Sequence, residues 1–178
     1  MDLLTKVLQD HQAVILEKWF DALLDAYPAE AARIFKHVKD PFANPVGHSM
    51  VTGLEAILDW LVRGKESSEV AAYLDQIVRI RAVQEGLPSQ AVSFLISLKH
   101  IVGNVLEKTT APREERETAR QNWEGQIDRL LLMSMDIYAQ CREKIFELKV
   151  DEVHRQVYAL LRQEKQEREK KSCEGVPK

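Results

Sequence analysis

Residues 88–108 read PSQAVSFLISLKHIVGNVLEK, and this stretch decides the fold. It opens on a proline, which is tolerated in the first turn of a helix because the missing N–H would have no intrahelical partner there. Between Val92 and Val105 it is apolar nearly all round, without the broad polar face that a surface helix carries. The stretch therefore predicts a central, deeply buried helix with other helices packed around it.

The rest of the chain has the same helical periodicity, with apolar residues every three or four positions and no convincing alternating strand pattern. This predicts an all-α fold, a helical bundle of five to six helices with a long C-terminal helical extension. The helices before the central one are predicted at residues 3–26, 28–37, 45–63 (closed by Gly64), and from the caps Ser67 and Ser68 to Gly86.

A single long helical pattern follows the break TTAPRE at residues 109–114. Its apolar stripe steps by three and four residues from Trp123 and ends near Leu148, which is the spacing of a helix face that packs on a core. We therefore predict a helical domain at residues 1–148 and a helical extension at residues 149–178.

A second apolar stripe, here called the seam, begins near the end of the first and is out of phase with it. Its members are spaced four, three, four and three residues apart, as the a and d positions of a coiled coil are: Phe146, Val150, Val153, Val157 and Leu160. Because the same domain cannot easily cover both stripes, we expect the seam to pair with a second copy of the chain or with a partner protein. The extension is predicted to be coiled-coil-like to about residue 161 and to fray in the charged tail beyond.

The stretch KDPFANPVGH, residues 39–48, interrupts the helical pattern with two prolines. Asn44 followed by proline is typical of a helix start, with the amide side chain as N-cap and proline in the first helical position. On that interpretation alone, Asn44→Ala costs about 1 kcal/mol and Asn44→Asp is nearly neutral. A cap leaves Phe42, Gly47 and His48 unexplained. We therefore regard Phe42, Asn44 and His48 as candidate ligand or interaction residues.

Two arginines in the stretch QIVRIRAVQEG are further candidates. Arg79 and Arg81 are two positions apart, so on a helix their side chains point about 200° apart and cannot share one core. We expect one to face solvent and the other to lie near the corner that follows or a neighbouring helix end, bonded to terminal carbonyls or to a carboxylate. The alternative is an anion or ligand contact, together with free N–H groups at residues 45–47.

Composition excludes several classes of function. The net charge of −3 comes with no strongly basic face, so nucleic-acid binding has no electrostatic basis. Two cysteines make no disulfide framework and fit a reducing compartment. No stretch reaches the roughly 18 apolar residues of a membrane span, so we expect no membrane insertion. These features predict a cytoplasmic protein of bacterial type.

No residues have the spacing of a metal or catalytic site, so we expect neither enzymatic activity nor a cofactor. His100 would need an apolar pocket to hold haem, and a hydrogen-bonded histidine at the edge of the core is the favoured interpretation. His48, in GHSMVTG, faintly resembles a phosphotransfer histidine. Such motifs carry a lysine shortly afterwards, where this sequence has Val51 and Thr52, so a surface or capping histidine is favoured.

Two stretches together resemble the RsbRD N-terminal domain family. They are DPFANPVGHSMVTGLEAILDWL at residues 40–61 and LDQIVRIRAVQEGLPSQAVSFLISLKHIV at residues 74–102. The resemblance covers roughly residues 10–145. One departure from the family pattern is Leu87 before Pro88, where a capping serine or a similar residue is expected.

The resemblance implies a non-enzymatic sensory or regulatory module. Such domains are helical inputs of RsbR-type co-antagonists of the RsbT kinase in bacterial stress signalling, with a globin-like, dimeric fold without haem. In full-length members a STAS output domain with phosphorylatable threonines follows. We expect this chain to act without its own STAS domain, as a homodimer or with a separate signalling protein. The alternatives are a phosphotransfer or cofactor-binding helical protein that uses His48 or His100, and a structural subunit of a larger complex.

Overall fold

The computed structural model describes residues 2–63, 67–84 and 87–174, and every regular element in these ranges is an α-helix, which confirms the all-α prediction. The helices are α1 Leu3–Asp10, α2 Gln12–Leu24, α3 Ala29–His37, α4 Pro45–Arg63, α5 Ser67–Val83, α6 Pro88–Glu107 and α7 Arg113–Glu174. The predicted helix ends at Gly64 and Gly86, and the side chains of the predicted caps Ser67 and Ser68, lie outside the described residues. The globin-like arrangement stays a prediction.

The first predicted helix, residues 3–26, is in fact two helices that meet at His11. The backbone of His11 leaves the helical region, with φ −115° and ψ 12°. Hydrogen bonds between residues four apart nevertheless continue on both sides: the His11 N–H donates to the Val7 carbonyl at 3.1 Å, and the Ile15 N–H donates to the His11 carbonyl at 2.9 Å. The apolar periodicity runs on through the bend, so the pattern alone did not reveal it.

Helix α6 lies in the core, where tryptophans of two neighbouring helices form hydrogen bonds to it. The indole N–H of Trp19 on α2 donates to the Phe94 carbonyl at 2.7 Å, and the two rings stack with centroids 6.0 Å apart. The indole N–H of Trp123 on α7 donates to the Lys99 carbonyl at 3.2 Å. Both tryptophans are fully buried, and a buried indole needs such an acceptor. These bonds fix α2 and α7 against α6.

Burial of α6 is one-sided, although its sequence is apolar nearly all round between Val92 and Val105. Its buried residues are Ala91, Val92, Phe94, Leu95, Leu98, Val102 and Leu106. Ile96 and His100, four residues apart on one face, are exposed. An apolar run does not by itself say which of its side chains meet a neighbouring helix.

The chain divides into two compact units, Met1–Cys141 and Arg142–Lys178. In the first unit α7 contributes a buried stripe made of Ala119, Trp123, Ile127, Leu130, Ser134 and Tyr138. In the second unit α7 is helical through the charged segment, where Arg168 pairs with Glu164 at 2.8 Å. The domain boundary at residue 148 and the fraying of the tail in solution stay predictions.

Candidate functional site

The interruption at residues 39–48 is a compact junction between α3 and α4, and Asn44 is at its centre. Asn44 is buried, with 4% of its surface exposed. Its side-chain oxygen accepts from the Gly47 N–H at 2.9 Å, while its backbone carbonyl accepts from the His48 N–H at 3.1 Å. This is the geometry of an N-cap, as the sequence predicts, and it satisfies one of the N–H groups that the first turn of α4 leaves without a partner.

The amide nitrogen of Asn44 does something that the sequence does not indicate. It donates to the Val38 carbonyl at 2.8 Å and to the Phe35 carbonyl at 3.1 Å, with the Ile34 carbonyl a longer third acceptor at 3.4 Å. The Phe35 and Val38 carbonyls are at the C-terminal end of α3, where no following turn supplies an N–H, whereas the Ile34 carbonyl already accepts from the Val38 N–H at 3.0 Å. One side chain thus caps the end of α3 and the start of α4.

Gly47 is explained by the same side chain. A Cβ at Gly47 would lie 2.6 Å from the side-chain oxygen of Asn44 and 2.8 Å from its carboxamide carbon. A Cβ atom does not come within 3.0 Å of such atoms in real structures, so any larger residue must displace the Asn44 amide. Glycine at this position therefore allows the cap to fold back over the first turn of α4.

The other two candidates in this stretch face solvent. Phe42 has 94% of its surface exposed, and His48 is also exposed. The turn below Phe42 is nevertheless ordered by hydrogen bonds: Asp40 accepts from the Phe42 N–H at 3.1 Å through its side chain and from the Asn44 N–H at 2.9 Å through its backbone. Phe42 is therefore displayed on a well-bonded turn.

Arg81 is the arginine that turns inward, with 7% of its surface exposed. Its Nη2 donates to the Gln90 carbonyl at 2.7 Å, and its Nη1 lies 3.5 Å from the Leu23 carbonyl. The guanidinium carbon is 5.4 Å from the centre of the Tyr27 ring, a cation–π distance. Burial lowers the pKa of Arg81, although an arginine remains charged at physiological pH. Arg81 joins the end of α2 and the start of α6 to α5.

The sequence identified Tyr27 only as a helix end and gave no sign of its contact with Arg81. Its ring meets Phe35 of α3 edge-on, with centroids 5.3 Å apart. Burial raises the pKa of Tyr27, while the charge of Arg81 acts in the opposite direction. Its hydroxyl has Arg81 and Gln84 as polar neighbours, but no hydrogen bond of good geometry. No local signal reveals this pairing, because Tyr27 and Arg81 are far apart along the chain.

Arg79 faces solvent, as expected of one member of the pair. It forms an ion pair with Asp75 one turn earlier at 2.5 Å, with 64% of its side chain exposed. The predicted anion contact would use backbone N–H groups at residues 45–47. Pro45 has no N–H and the Gly47 N–H is bonded to Asn44, so two of these three positions cannot donate to an anion. A ligand role for Arg79 or Arg81 stays a prediction.

His100 is exposed, which corrects its expected place at the edge of the core. Position 100 shares the outward face of α6, so the side chain has no apolar enclosure of the kind that a haem ligand needs. Among the described residues no three His, Cys, Asp or Glu side chains come together as a metal site would require. No helix in the described ranges is long and apolar enough to cross a membrane.

The seam residues lie on the second unit, and most of them face solvent in the single chain. Phe146, Val153, Val157 and Leu160 are about half to two-thirds exposed, and Val150 is partly buried. Leu161 and Tyr158 add further exposed apolar surface beside the seam. A stripe of this kind along one helix is a surface that another helix normally covers.

A family model described as the RsbT co-antagonist protein rsbRD N-terminal domain matches residues 13–153. The chain belongs to this family. The matched region of this rsbRD-type domain includes the Asn44 junction, Arg81 and the first half of the seam. No curated protein and no solved structure matches the chain.

Proposed function

We propose that this rsbRD-type domain is a non-enzymatic sensory or regulatory module of bacterial stress signalling. It works in the cytoplasm as a homodimer and acts on a separate signalling protein through direct contact. Family membership supports the input role. The observation that carries the dimer is the exposed seam at Phe146, Val150, Val153, Val157 and Leu160.

The seam favours pairing of helices because of the side chains at each position. Counting from Phe146 as d, Val150 and Val157 occupy a positions, where β-branched residues favour two parallel strands. Phe146, Val153 and Leu160 then occupy d positions. The seam is only about two heptads long, shorter than the three or four that make an independent coiled coil secure. Here α7 is already formed, so pairing needs no new helix nucleation.

Such a dimer can transmit a signal through helix packing. The same helix α7 contributes buried residues to the core of the first unit and the seam to the second. A change in how α7 packs in the core alters the rotation or register at which two seams meet, since packed helices have a small set of preferred arrangements. A signalling protein that binds the paired helices then responds to that change.

The test compares two single substitutions of equal charge in the full chain. Val157→Lys puts a cation in the seam, and Ala159→Lys puts the same cation two residues away at an exposed position outside it. Light scattering over a range of concentrations should give a dimer for the native chain and for Ala159→Lys, and a monomer for Val157→Lys. A native chain that stays monomeric at every concentration refutes self-pairing.

A chain ending at Lys149 separates the seam from the first unit. We expect it to be monomeric. If it and Val157→Lys are both dimers as tight as the native chain, then the first unit holds the pair together and the proposed role of the seam is wrong.

A further inference from the structure

Phe42 is an exposed aromatic side chain on a turn that is held in place from both sides. Asn44 bonds the turn to the end of α3 and the start of α4, and Asp40 bonds the Phe42 N–H at 3.1 Å. Val38 and Ile34, four and eight residues earlier, add exposed apolar surface at the end of α3. A rigid, almost fully exposed aromatic residue loses little conformational entropy on binding, which is the character of an interface anchor.

Phe42 and its surroundings at residues 33–42, here called the knob, carry a positive charge. In residues 33–42 the only acid is Asp40, and the cations are Arg33, Lys36 and Lys39. Lys36 is already paired with Asp21 at 2.5 Å. Two knobs placed face to face would bring Lys39 of each copy together, which disfavours a symmetric contact. The charge favours a partner surface that combines an apolar floor with carboxylates at its rim.

The same chain has a surface of that chemistry in its first unit. An open groove of about 570 Å³ lies between α1 and the first turns of α7. Its apolar lining includes Leu3, Leu4, Pro112 and Ala119. Its charged lining has three carboxylates, from Asp2, Glu114 and Glu115, against the single cation Arg129. At Gly125, which also lines it, an added Cβ would meet nothing within 4 Å, so that wall is open.

We propose that the Phe42 knob of one copy docks into the α1–α7 groove of a second copy. The ring enters the apolar floor, and Lys39 meets the carboxylates of Glu114 and Glu115 at the rim. Because knob and groove are different surfaces, the contact is head-to-tail, and each copy keeps a free knob or a free groove for a further copy. This contact does not involve the seam. It joins further copies to the monomer or dimer that is present without it.

The contact is small, so association is weak and depends on concentration and salt. One aromatic ring with a few flanking charges buries far less surface than a stable interface of about 1,200–2,000 Å². The flanking charges are exposed, so their attraction is screened within about 8 Å at physiological ionic strength. Association of copies through the knob and the groove should therefore increase at low salt and at high protein concentration.

Sedimentation velocity on the full chain at low salt tests the proposal. Phe42→Ala should raise the dissociation constant of this association at least tenfold. Leu132→Ala is the matched control, because it removes an exposed apolar side chain of α7 that does not line the groove, and it should have no effect. Circular dichroism confirms that both variants stay folded, which is expected for such exposed positions. Native-like association of Phe42→Ala overturns the proposal.

A charge exchange identifies the two surfaces directly. Lys39→Glu replaces a cation of the knob by a carboxylate, Glu115→Lys replaces a carboxylate of the groove by a cation, and each variant alone should associate more weakly than the native chain. An equimolar mixture should recover association, because the native knob of Glu115→Lys fits the native groove of Lys39→Glu, and the new carboxylate at position 39 can meet the new cation at position 115. A mixture no stronger than its components means that knob and groove do not meet, whether or not the seam forms a dimer.

Discussion

At the level of single residues, the junction between α3 and α4 depends on a side chain that both donates and accepts. A helix leaves carbonyls without partners at its C-terminal end and N–H groups without partners at its N-terminal end. Asn44 meets both needs, with its oxygen on the Gly47 N–H and its nitrogen on the Phe35 and Val38 carbonyls. Serine or aspartate makes an equally good N-cap but cannot donate in this way.

Substitutions of Asn44 separate its two roles. Asn44→Ala should lower the free energy of unfolding by about 2 kcal/mol, since it removes the cap and leaves the Phe35 and Val38 carbonyls without their side-chain donor. Asn44→Asp keeps the cap but places a carboxylate against the Phe35 and Val38 carbonyls. It should therefore be destabilising rather than nearly neutral, in contrast to what a simple N-cap predicts. Chemical denaturation measures both, and an aspartate variant as stable as the native chain shows that the bonds to α3 contribute nothing.

A double-mutant cycle tests the explanation of Gly47. Gly47→Ala alone should be destabilising, because the new Cβ displaces the Asn44 amide. In the Asn44→Ala background the obstacle is gone, and the same change should stabilise by up to about 1 kcal/mol through helix propensity. Gly103→Ala is the control, since a Cβ there meets nothing within 4 Å. Equal effects of Gly47→Ala in both backgrounds contradict the proposed contact.

At the level of helices, periodicity predicted most elements and missed what depends on distant contacts. The prediction of residues 45–63 as one helix agrees with α4 Pro45–Arg63. The bend at His11 was missed because the apolar spacing continues through it. The second role of Asn44 and the place of Arg81 against Tyr27 were missed for a different reason. Both are bonds between separate helices, and no local pattern encodes their geometry.

The long helix α7 carries one polar side chain in its buried stripe, and that residue offers a test of its packing. Ser134 is fully buried, and its hydroxyl has no hydrogen-bond partner among the described residues. Ser134→Ala should therefore raise the free energy of unfolding by about 1 kcal/mol, since it removes an unsatisfied group and improves helix propensity. Ser93→Ala, whose hydroxyl donates to the Gln90 carbonyl at 2.9 Å, is the control and should have little effect. A destabilised Ser134→Ala indicates that the hydroxyl has a partner, such as a buried water.

At the level of the whole molecule, the buried surface belongs to structure and the exposed apolar surface is left for contacts. The core of the first unit uses its tryptophans, Arg81 and Asn44 to hold helix to helix. The apolar side chains that this packing leaves exposed include Phe42 and most of the seam. In this rsbRD-type domain the two proposed contacts both use that exposed apolar surface.

A globin-like topology raises the question of whether the domain binds haem. His100 is on the exposed face of α6 and lacks the apolar enclosure that holds a haem. We therefore expect purified protein to be colourless, and added haem to give no stoichiometric Soret band. His100→Ala and, as a matched control on another exposed face, His48→Ala should leave the spectrum and the stability unchanged. A stoichiometric Soret band that disappears in His100→Ala but not in His48→Ala would mean that α6 rotates to bring His100 inward, and the domain would then be a haem-based sensor.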